Sequence, residues 1–477
     1  MIDRIALALV LAAAPGPLGA VKLAPDAAAA DAALLRATLE AIHPGLDRYA
    51  SRAELDAAFA RVGALAAGGP TDLELYVEIS RLLAAIRCSH TKAEPPRTHQ
   101  EFRAANATHA PFRFLVDGER MFVAAGAVAA PRTEVLSIDG RSPGEIAAAI
   151  LPFVPVDGFT DHVRPLRFAE DSECVGGGSA FEQFYGLLFG LGPRFRLELR
   201  SPAGAVTTVW APPVTRDTWL ALAPGGAANF RDAVSLRNVD AATSVLAVDT
   251  FVNYRKPVDP EAVYGPIFRD LKARGVRHLV IDLRRNGGGS DDAALALARF
   301  LMAEPFRMGR PARVRARSVP LALRKHLFTW DEGAFDPPES LFRELSEGGG
   351  FEFREAPPLL SPHPDRFGGR VTLLVGPDNG SGATHLVAKL ADAGRVRTVG
   401  EPTGGSAEGA TAGTIFFLDL PASGIRVRVP AIRSFIDVDP NRFPRGRGVD
   451  PDVLVRPSLD DLFSGRDPVI EAALRER

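Results

Sequence analysis

The sequence predicts a mixed α/β protein, because successive stretches of the chain differ in the spacing of their apolar residues. Residues 25–95 repeat apolar side chains at helical spacing, and residues 108–215 alternate short strands with turns. Residues 225–460 alternate apolar strands with amphipathic helices, and residues 461–477 form a polar terminal helix. We therefore expect a helical domain, a small β module and a larger α/β domain within the 477 residues.

Residues 1–20 predict a signal peptide. Arg4 precedes an apolar run over residues 5–14, and Pro15 ends that run. A run of this length is too short to span a bilayer but suits the core of a signal peptide. A short N-terminal helix is the alternative. We expect an exported protein, periplasmic or secreted, with the signal either cleaved or kept as an anchor and no other spanning segment.

Composition narrows the classes of partner. The chain has 56 Lys and Arg residues against 58 Asp and Glu, a net charge of -2, and no long basic run, so we expect no nucleic-acid partner. Cys88 and Cys174 are too few for a disulfide framework, and whether they pair stays open. Cys88 lies two residues before His90, but the adjacent apolar helix favours a small buried residue over a catalytic thiol.

Local signals predict elements in the first two modules. The segments Ser51–Glu54 and Thr71–Glu74 are capping boxes, and each predicts the start of a helix. In the β module, Asp117–Gly118 lies between two apolar runs, which predicts a hairpin. A short helix is expected over residues 143–150.

In the α/β domain, two strands each lead through a glycine-containing turn into a helix. Strand 278–284 is followed by Asn286–Gly289, and strand 370–375 is followed by Gly376–Gly382. Residues 304–368, between them, are rich in Pro, Gly and charge and predict an insertion or lid. Other elements are expected at 245–251, 259–274, 396–401, 414–420 and 425–432.

The two glycine turns have the residues that acyl transfer needs. Ser381 stands at a helix N-terminus, where free N–H groups and the helix dipole favour developing negative charge. An oxyanion hole needs fixed donors beside the nucleophile. The Gly382 N–H, with the N–H of Gly288 or Gly289, could supply them. Alternatively, Ser381 is only a helix cap and the glycines only form turns.

Residues 243–456 resemble the catalytic domain of the S41, tail-specific protease family. That resemblance implies a crotonase-like (ClpP-like) fold, with Thr133–Gly140 similar to the end of a degenerate PDZ-like module. The segments that match family motifs, in family order, are Asp282–Gly289, Leu374–Ser381, Gly400–Gly405 and Gly448–Asp452.

The resemblance also indicates the general base. One bacterial branch has a lysine where this chain has Ser406, and a glutamate where it has Thr384, so we do not expect a Ser–Lys dyad. A branch resembling tricorn protease and the retinoid-binding proteins has a histidine after the N-terminal helices. Ser89 and His90 match that context, which implies His90 as the base and Ser89 as its orienting residue. His385 is the rival base, although packing is the expected role for it.

A carboxylate should orient the base. Arg445 lies near the place where the tricorn-like branch has a glutamate, so the third residue is open, with Asp437, Asp439 and Glu401 as candidates. The nine histidines are scattered without an H-E-x-x-H motif, so we expect no metal and no other cofactor.

Together, these observations predict a serine endopeptidase that hydrolyses peptides or protein tails through an acyl-enzyme on Ser381. One alternative is a non-catalytic protein that binds apolar ligands or peptides on the same fold. Another is crotonase-type acyl-CoA chemistry, against which the export signal and the Ser381 turn argue. The sequence does not indicate an oligomeric state.

Overall fold

A computed structural model describes residues 18–170, 178–223, 229–346 and 349–475. Residues 1–17, which contain most of the expected signal peptide, and Cys174 lie outside these ranges. Leu18 is buried, and its carbonyl oxygen lies 2.7 Å from Nδ1 of His99. Within the described ranges, no helix is long and apolar enough to cross a membrane.

The N-terminal region is helical, as its period predicts. Both capping boxes form, with the Ser51 and Thr71 hydroxyls accepting from the N–H groups of Glu54 and Glu74. The chain then leaves the helices through a short strand, β1, which begins two residues after His90. The elements are α1 (Pro25–Ile42), α2 (Arg52–Ala67), α3 (Asp72–Ala85), β1 (Lys92–Glu94) and α4 (Arg97–Ala105).

The middle module is a five-stranded antiparallel sheet in the order β2-β3-β4-β5-β6. Its apolar face shares one core with the N-terminal helices, so the two regions pack as a unit. The strands are β2 (Phe112–Asp117), β3 (Arg120–Gly126), β4 (Glu134–Ile138), β5 (Phe195–Arg200) and β6 (Val206–Ala211). The helices are α5 (Pro143–Ile150), α6 (Arg164–Ala169), α7 (Ala180–Phe189) and α8 (Arg216–Ala221).

A six-stranded sheet, β18-β15-β14-β9-β8-β7, forms the α/β domain and is parallel except for the pair β7–β8. Successive residues of its inner strands enter separate cores on the two faces, which explains their continuous apolar runs. The strands are β7 (Val234–Asn238), β8 (Thr243–Val248), β9 (His278–Asp282), β14 (Arg370–Val375), β15 (Arg397–Gly400) and β18 (Val453–Leu454). The helices are α9 (Pro260–Ala273), α10 (Asp291–Leu301) and α12 (Ser381–Asp392).

The expected insertion is built into a third sheet. Its strands pair with β16 and β17, and β17 also pairs with β1, so the insertion and the N-terminal region extend one seven-stranded sheet. The elements are β10 (Gly309–Val314), α11 (Leu321–Arg324), β11 (Leu327–Phe328), β12 (Phe342–Glu344), β13 (Phe351–Phe353), β16 (Thr411–Asp419) and β17 (Arg426–Ile436).

The terminal helix differs from the prediction. It consists of two short helices, α13 (Leu459–Ser464) and α14 (Pro468–Arg475). Gly465 takes a left-handed conformation, with a φ of 72°, and ends the first of them. Helix α14 covers one face of the six-stranded sheet through Val469 and Ala473.

Candidate active site

Ser381 occupies a strained position where strand β14 turns into helix α12. Its φ of 44° lies in the left-handed region, which a residue with a β-carbon adopts at an energetic cost. Gly380 is the N-cap, so Ser381 is the first residue of the helix. Its side chain is half-buried, and among the described residues its hydroxyl makes no hydrogen bond.

Hydrogen bonds of Asn379 stabilise this turn. The buried Asn379 amide donates to the carbonyl oxygens of Leu283 and Asn286 and accepts from the Gly376 N–H at 2.9 Å. Its own carbonyl accepts from the Thr384 hydroxyl at 2.7 Å. Because these bonds join the two glycine turns, the strained serine cannot relax without breaking several of them.

The first glycine turn packs directly against the serine. A β-carbon placed on Gly288 would lie 2.9 Å from the β-carbon of Ser381, and φ there is 103°. At Gly289, φ is 138° and a β-carbon would lie 2.3 Å from the carbonyl carbon of Phe251. Both positions therefore require glycine for space and for conformation.

The structure distinguishes between the three predicted oxyanion donors. The Gly288 N–H donates to Oδ1 of Asn286 at 2.9 Å, so it is already engaged. The N–H groups of Gly289 and Gly382 have no acceptor among the described residues. Gly382 is the second residue of α12, where a helical N–H has no partner within the helix. Gly289 and Gly382 thus leave two free donors beside the serine.

His90 lies in the turn that follows helix α3. Its Nδ1 is buried and has no hydrogen-bond partner within the described part of the chain. Burial lowers the pKa of His90, and the nearby Asp157 carboxylate opposes that shift. The imidazole is therefore neutral near pH 7, as a general base must be.

Asp157 is a buried carboxylate that sequence reasoning missed. One of its oxygens, a ring nitrogen of His90 and Sγ of Cys88 all lie within 4.8 Å of one another. Oδ1 of Asp157 accepts from the Ser89 N–H at 2.8 Å, so Ser89 fixes the carboxylate through its backbone. The next residue, Gly158, donates its N–H to the Arg87 carbonyl at 2.9 Å, which ties the middle module to the His90 turn.

His385, one turn along α12 from Ser381, helps to locate His90. Burial lowers the pKa of His385 to about 4, the Asp157 carboxylate raises it and a charge on His90 lowers it. Both groups therefore lie within electrostatic range of His385. Nε2 of His385 accepts from the Ala410 N–H at 3.1 Å, so that lone pair is not free to take a proton.

Comparison with known proteins identifies the α/β region. Residues 246–455 match the sequence model of peptidase family S41. The chain carries an S41 peptidase domain. It is accordingly a serine-type peptidase, a hydrolase. No protein with a curated description matches the chain significantly.

Solved structures support the fold of the whole chain. Mature CPAF aligns with 94% of this chain and 96% of its own at 15% identity and a TM-score of 0.61. A mutant of CPAF aligns with 94% and 96% at 13% identity and a TM-score of 0.63. CPAF complexed with lactacystin aligns with 94% and 97% at 13% identity and a TM-score of 0.60. At these identities the likeness concerns the fold.

Ser406 of the S41 domain belongs to a polar cluster beside the His90 turn. The Tyr49 hydroxyl donates to Oε1 of Glu408 at 2.8 Å and lies 3.3 Å from Oγ of Ser406. Arg48 pairs with the same glutamate at 2.8 Å. Lys389 lies eight residues after Ser381 in α12 and is not part of this cluster. It donates to the Asp437 carbonyl at 2.6 Å.

The carboxylates that the sequence proposed lie elsewhere. Asp437 is 3.4 Å from Lys389, and Asp439 accepts from the Asn441 N–H at 2.9 Å. Glu401 pairs with Arg456 at 2.6 Å. Within the described ranges, none of the three contacts His90. A hydrogen bond between His90 and Ser381 is also absent there, and such bonds often tighten only when substrate binds.

Proposed function

We propose that this S41 peptidase hydrolyses peptide bonds in peptides or protein tails, with Ser381 as nucleophile and His90 as general base. The observation that carries the proposal is the strained Ser381 at the start of α12, next to the glycine turn and to the free N–H groups of Gly289 and Gly382. A nucleophile beside two fixed donors is the arrangement that acyl transfer requires.

In the proposed reaction, Oγ of Ser381 attacks the substrate carbonyl carbon while His90 takes the hydroxyl proton. The Gly289 and Gly382 N–H groups stabilise the oxyanion that forms. The C–N bond then breaks, and His90 returns the proton to the leaving amine. Water, deprotonated by His90, releases the acyl group and regenerates Ser381.

We further propose Asp157 as the residue that positions His90, in place of Asp437 or Asp439. It is 4% exposed and comes within 4.8 Å of the His90 ring. A buried carboxylate stabilises the imidazolium that forms during proton transfer and restrains the ring.

A fluorophosphonate probe, which labels activated serines, tests the proposal. We expect wild type to be labelled, Ser381→Ala to be unlabelled, and His90→Ala to be labelled about 10²- to 10⁴-fold more slowly. Ser458→Ala is the matched control, because Ser458 is an exposed serine before another helix, and should label like wild type. Equal labelling of wild type and Ser381→Ala would refute the nucleophile.

Export is a second part of the proposal and depends on the apolar run at residues 5–14. We expect the full chain to leave the cytoplasm when expressed with its own N-terminus. Fractionation followed by N-terminal sequencing checks this, with Leu9→Arg, which interrupts the run, as the comparison. Equal export of both chains would contradict it.

A further inference from the structure

We propose that Cys88, His90 and Asp157 form an inhibitory zinc-binding site. The binding of zinc depends only on these three side chains. Its inhibitory effect depends on the proposed function, because it requires His90 to be the general base.

The geometry brings three zinc-ligand types together from distant parts of the chain. Sγ of Cys88, a ring nitrogen of His90 and a carboxylate oxygen of Asp157 lie within 4.8 Å of one another. Tetrahedral zinc, with bonds of about 2.0 to 2.3 Å, holds its ligand atoms roughly 3.3 to 3.6 Å apart. Side-chain movements on the order of 1 Å would bring the three ligand atoms to the separations that tetrahedral zinc needs.

His90 is the best-prepared ligand of the three. Its Nδ1 is buried and has no hydrogen-bond partner among the described residues, and such a group is costly to leave unpaired. A cation bound at Nδ1 would satisfy that nitrogen. The Ser89 N–H already fixes Asp157 at 2.8 Å and so acts as the outer partner that orients a metal-binding carboxylate.

Charge balance also favours zinc. The Cys88 thiol donates its proton to the Thr411 carbonyl at 3.3 Å. Zinc binding would release that proton to solvent. The resulting thiolate and the Asp157 carboxylate then neutralise the two charges of the ion, with a neutral imidazole as the third ligand.

A narrow cleft lies beside two of the three proposed zinc ligands. It is lined by Arg48, Tyr49, Arg87 and Ser406 and reaches both Cys88 and Asp157. The two arginines would repel a free cation, but each is paired, Arg48 with Glu408 at 2.8 Å and Arg87 with Asp161 at 3.0 Å.

Zinc at this site would stop the proposed reaction. A metal bound to the His90 ring occupies a lone pair and fixes the ring beside Asp157, so His90 can no longer take a proton from Ser381. Removing the metal restores the base, which makes the inhibition reversible by a chelator.

Direct binding tests the site without reference to activity. We expect wild type to compete with a chromophoric chelator for one zinc ion, and Cys88→Ser to bind roughly 100-fold more weakly. Cys174→Ser is the matched cysteine control and should bind like wild type. The proposal fails if wild type does not bind zinc, if Cys88→Ser binds equally well, or if Cys174→Ser loses binding.

Cobalt provides a measurement on wild type alone, in case Cys88→Ser does not fold. Co²⁺ in the site should give a near-ultraviolet thiolate-to-metal absorption band. Bound cobalt without that band would exclude Cys88 as a ligand and overturn the site.

The inhibition is measured as the ratio of fluorophosphonate labelling with and without zinc, so each variant is its own reference. We expect the ratio to fall in wild type and Cys174→Ser, to recover with chelator, and to stay near one in Cys88→Ser. Zinc binding without a fall in wild type would refute the inhibitory role. If no form is labelled at all, the proposed function fails while the chelator competition still tests the zinc site.

Discussion

At the scale of single residues, the backbone around Ser381 matters as much as the hydroxyl itself. Ser381 has a left-handed φ of 44° at the first position of a helix, and the hydrogen bonds of the Asn379 amide stabilise the turn in that strained conformation. Gly288 allows the close approach, since any side chain there would meet Ser381.

Gly288→Ala should therefore slow the reaction of Ser381. Its β-carbon would lie 2.9 Å from that of Ser381, and displacing a reacting group by about 1 Å can cost about 10²-fold in rate. Gly287→Ala is the control within the same loop, because its β-carbon would meet only the Asp378 carbonyl oxygen, at 3.8 Å. We expect fluorophosphonate labelling to slow about 100-fold in the first variant and little in the second, and similar rates would contradict the close packing.

Asp157→Asn tests the positioning carboxylate. We expect labelling to slow by up to about 10⁴-fold, as when a triad aspartate is replaced, whereas Asp439→Asn should label like wild type. Because the Asp157 charge raises the pKa of His90, its removal should lower that pKa further. The acidic limb of the pH–rate profile should then move to lower pH in Asp157→Asn. A limb that does not move would indicate a purely structural role.

At the scale of elements, the buried Asp31 carboxylate of helix α1 forms hydrogen bonds with the turn of the β16–β17 hairpin. Asp31 accepts from the N–H groups of Ala422 and Ser423, at 3.1 and 2.8 Å, and from the Ser423 hydroxyl at 2.7 Å. Strand β17 also pairs with β1, so the same hairpin holds the strand that follows His90.

Asp31→Ala should destabilise the protein. Two of the three donors belong to the buried Ser423, and a buried donor that loses its acceptor costs roughly 1 to 3 kcal/mol, so we expect a loss of about 2 to 6 kcal/mol in the free energy of unfolding. Asp26→Ala, at the exposed start of the same helix, should change it by less than about 1 kcal/mol. Urea unfolding measures both variants, and equal midpoints would show that the three hydrogen bonds contribute nothing net.

At the scale of the whole molecule, buried histidines predict the response to pH. Burial lowers the pKa of His43 and His109 to about 3, and that of His99 and His385 to about 4. Below the ordinary value of about 6.5, the unfolded chain gains protons at these histidines that the folded chain does not. Each should cost about 1.4 kcal/mol per pH unit as pH falls towards its folded pKa.

Carboxyl groups whose pKa is raised by burial act in the opposite direction, and the shifts are largest at Glu170 and Glu182. Burial raises the pKa of Glu170 to about 7 and that of Glu182 to about 8, so their stabilising contribution is complete at low pH and is lost as pH rises. Burial also raises the pKa of Asp72, Asp249, Asp291 and Asp378, by smaller amounts. Since four histidines have large shifts and only two carboxyl groups do, we expect the urea midpoint to fall between pH 6.5 and 4.5. The fall should be shallower in His99→Asn, while His162→Asn, which replaces an exposed histidine, should match wild type. A midpoint that rises on acidification would contradict this balance.

Much of the fold is readable from the sequence, because periodicity and capping are local. The capping boxes at Ser51 and Thr71 and the strand–turn–helix at Ser381 are each encoded within a few residues. The motifs of the α/β region likewise indicated the S41 family, which the match over residues 246–455 supports. The pairing of the insertion with β16 and β17 was not predicted, because it depends on packing against distant strands. The break at Gly465 was also not predicted, although a glycine at the end of a helical turn is a local signal for a helix end.

The candidate site likewise has one part that the sequence predicts and another that only the tertiary structure shows. The sequence by itself determined the chemistry available at Ser381 and in the glycine turns, because those groups are neighbours along the chain. Only the tertiary structure decided that Gly288 is engaged by Asn286, leaving Gly289 and Gly382 as donors, and that Asp157 faces His90. The contact between Asp157 and His90 joins residues that are far apart in sequence, and the short turn at Asp157–Gly158 has no local feature that indicates this partner. The hydrogen bond between Gly288 and Asn286 is local, but it depends on a loop conformation that the residue types alone do not specify.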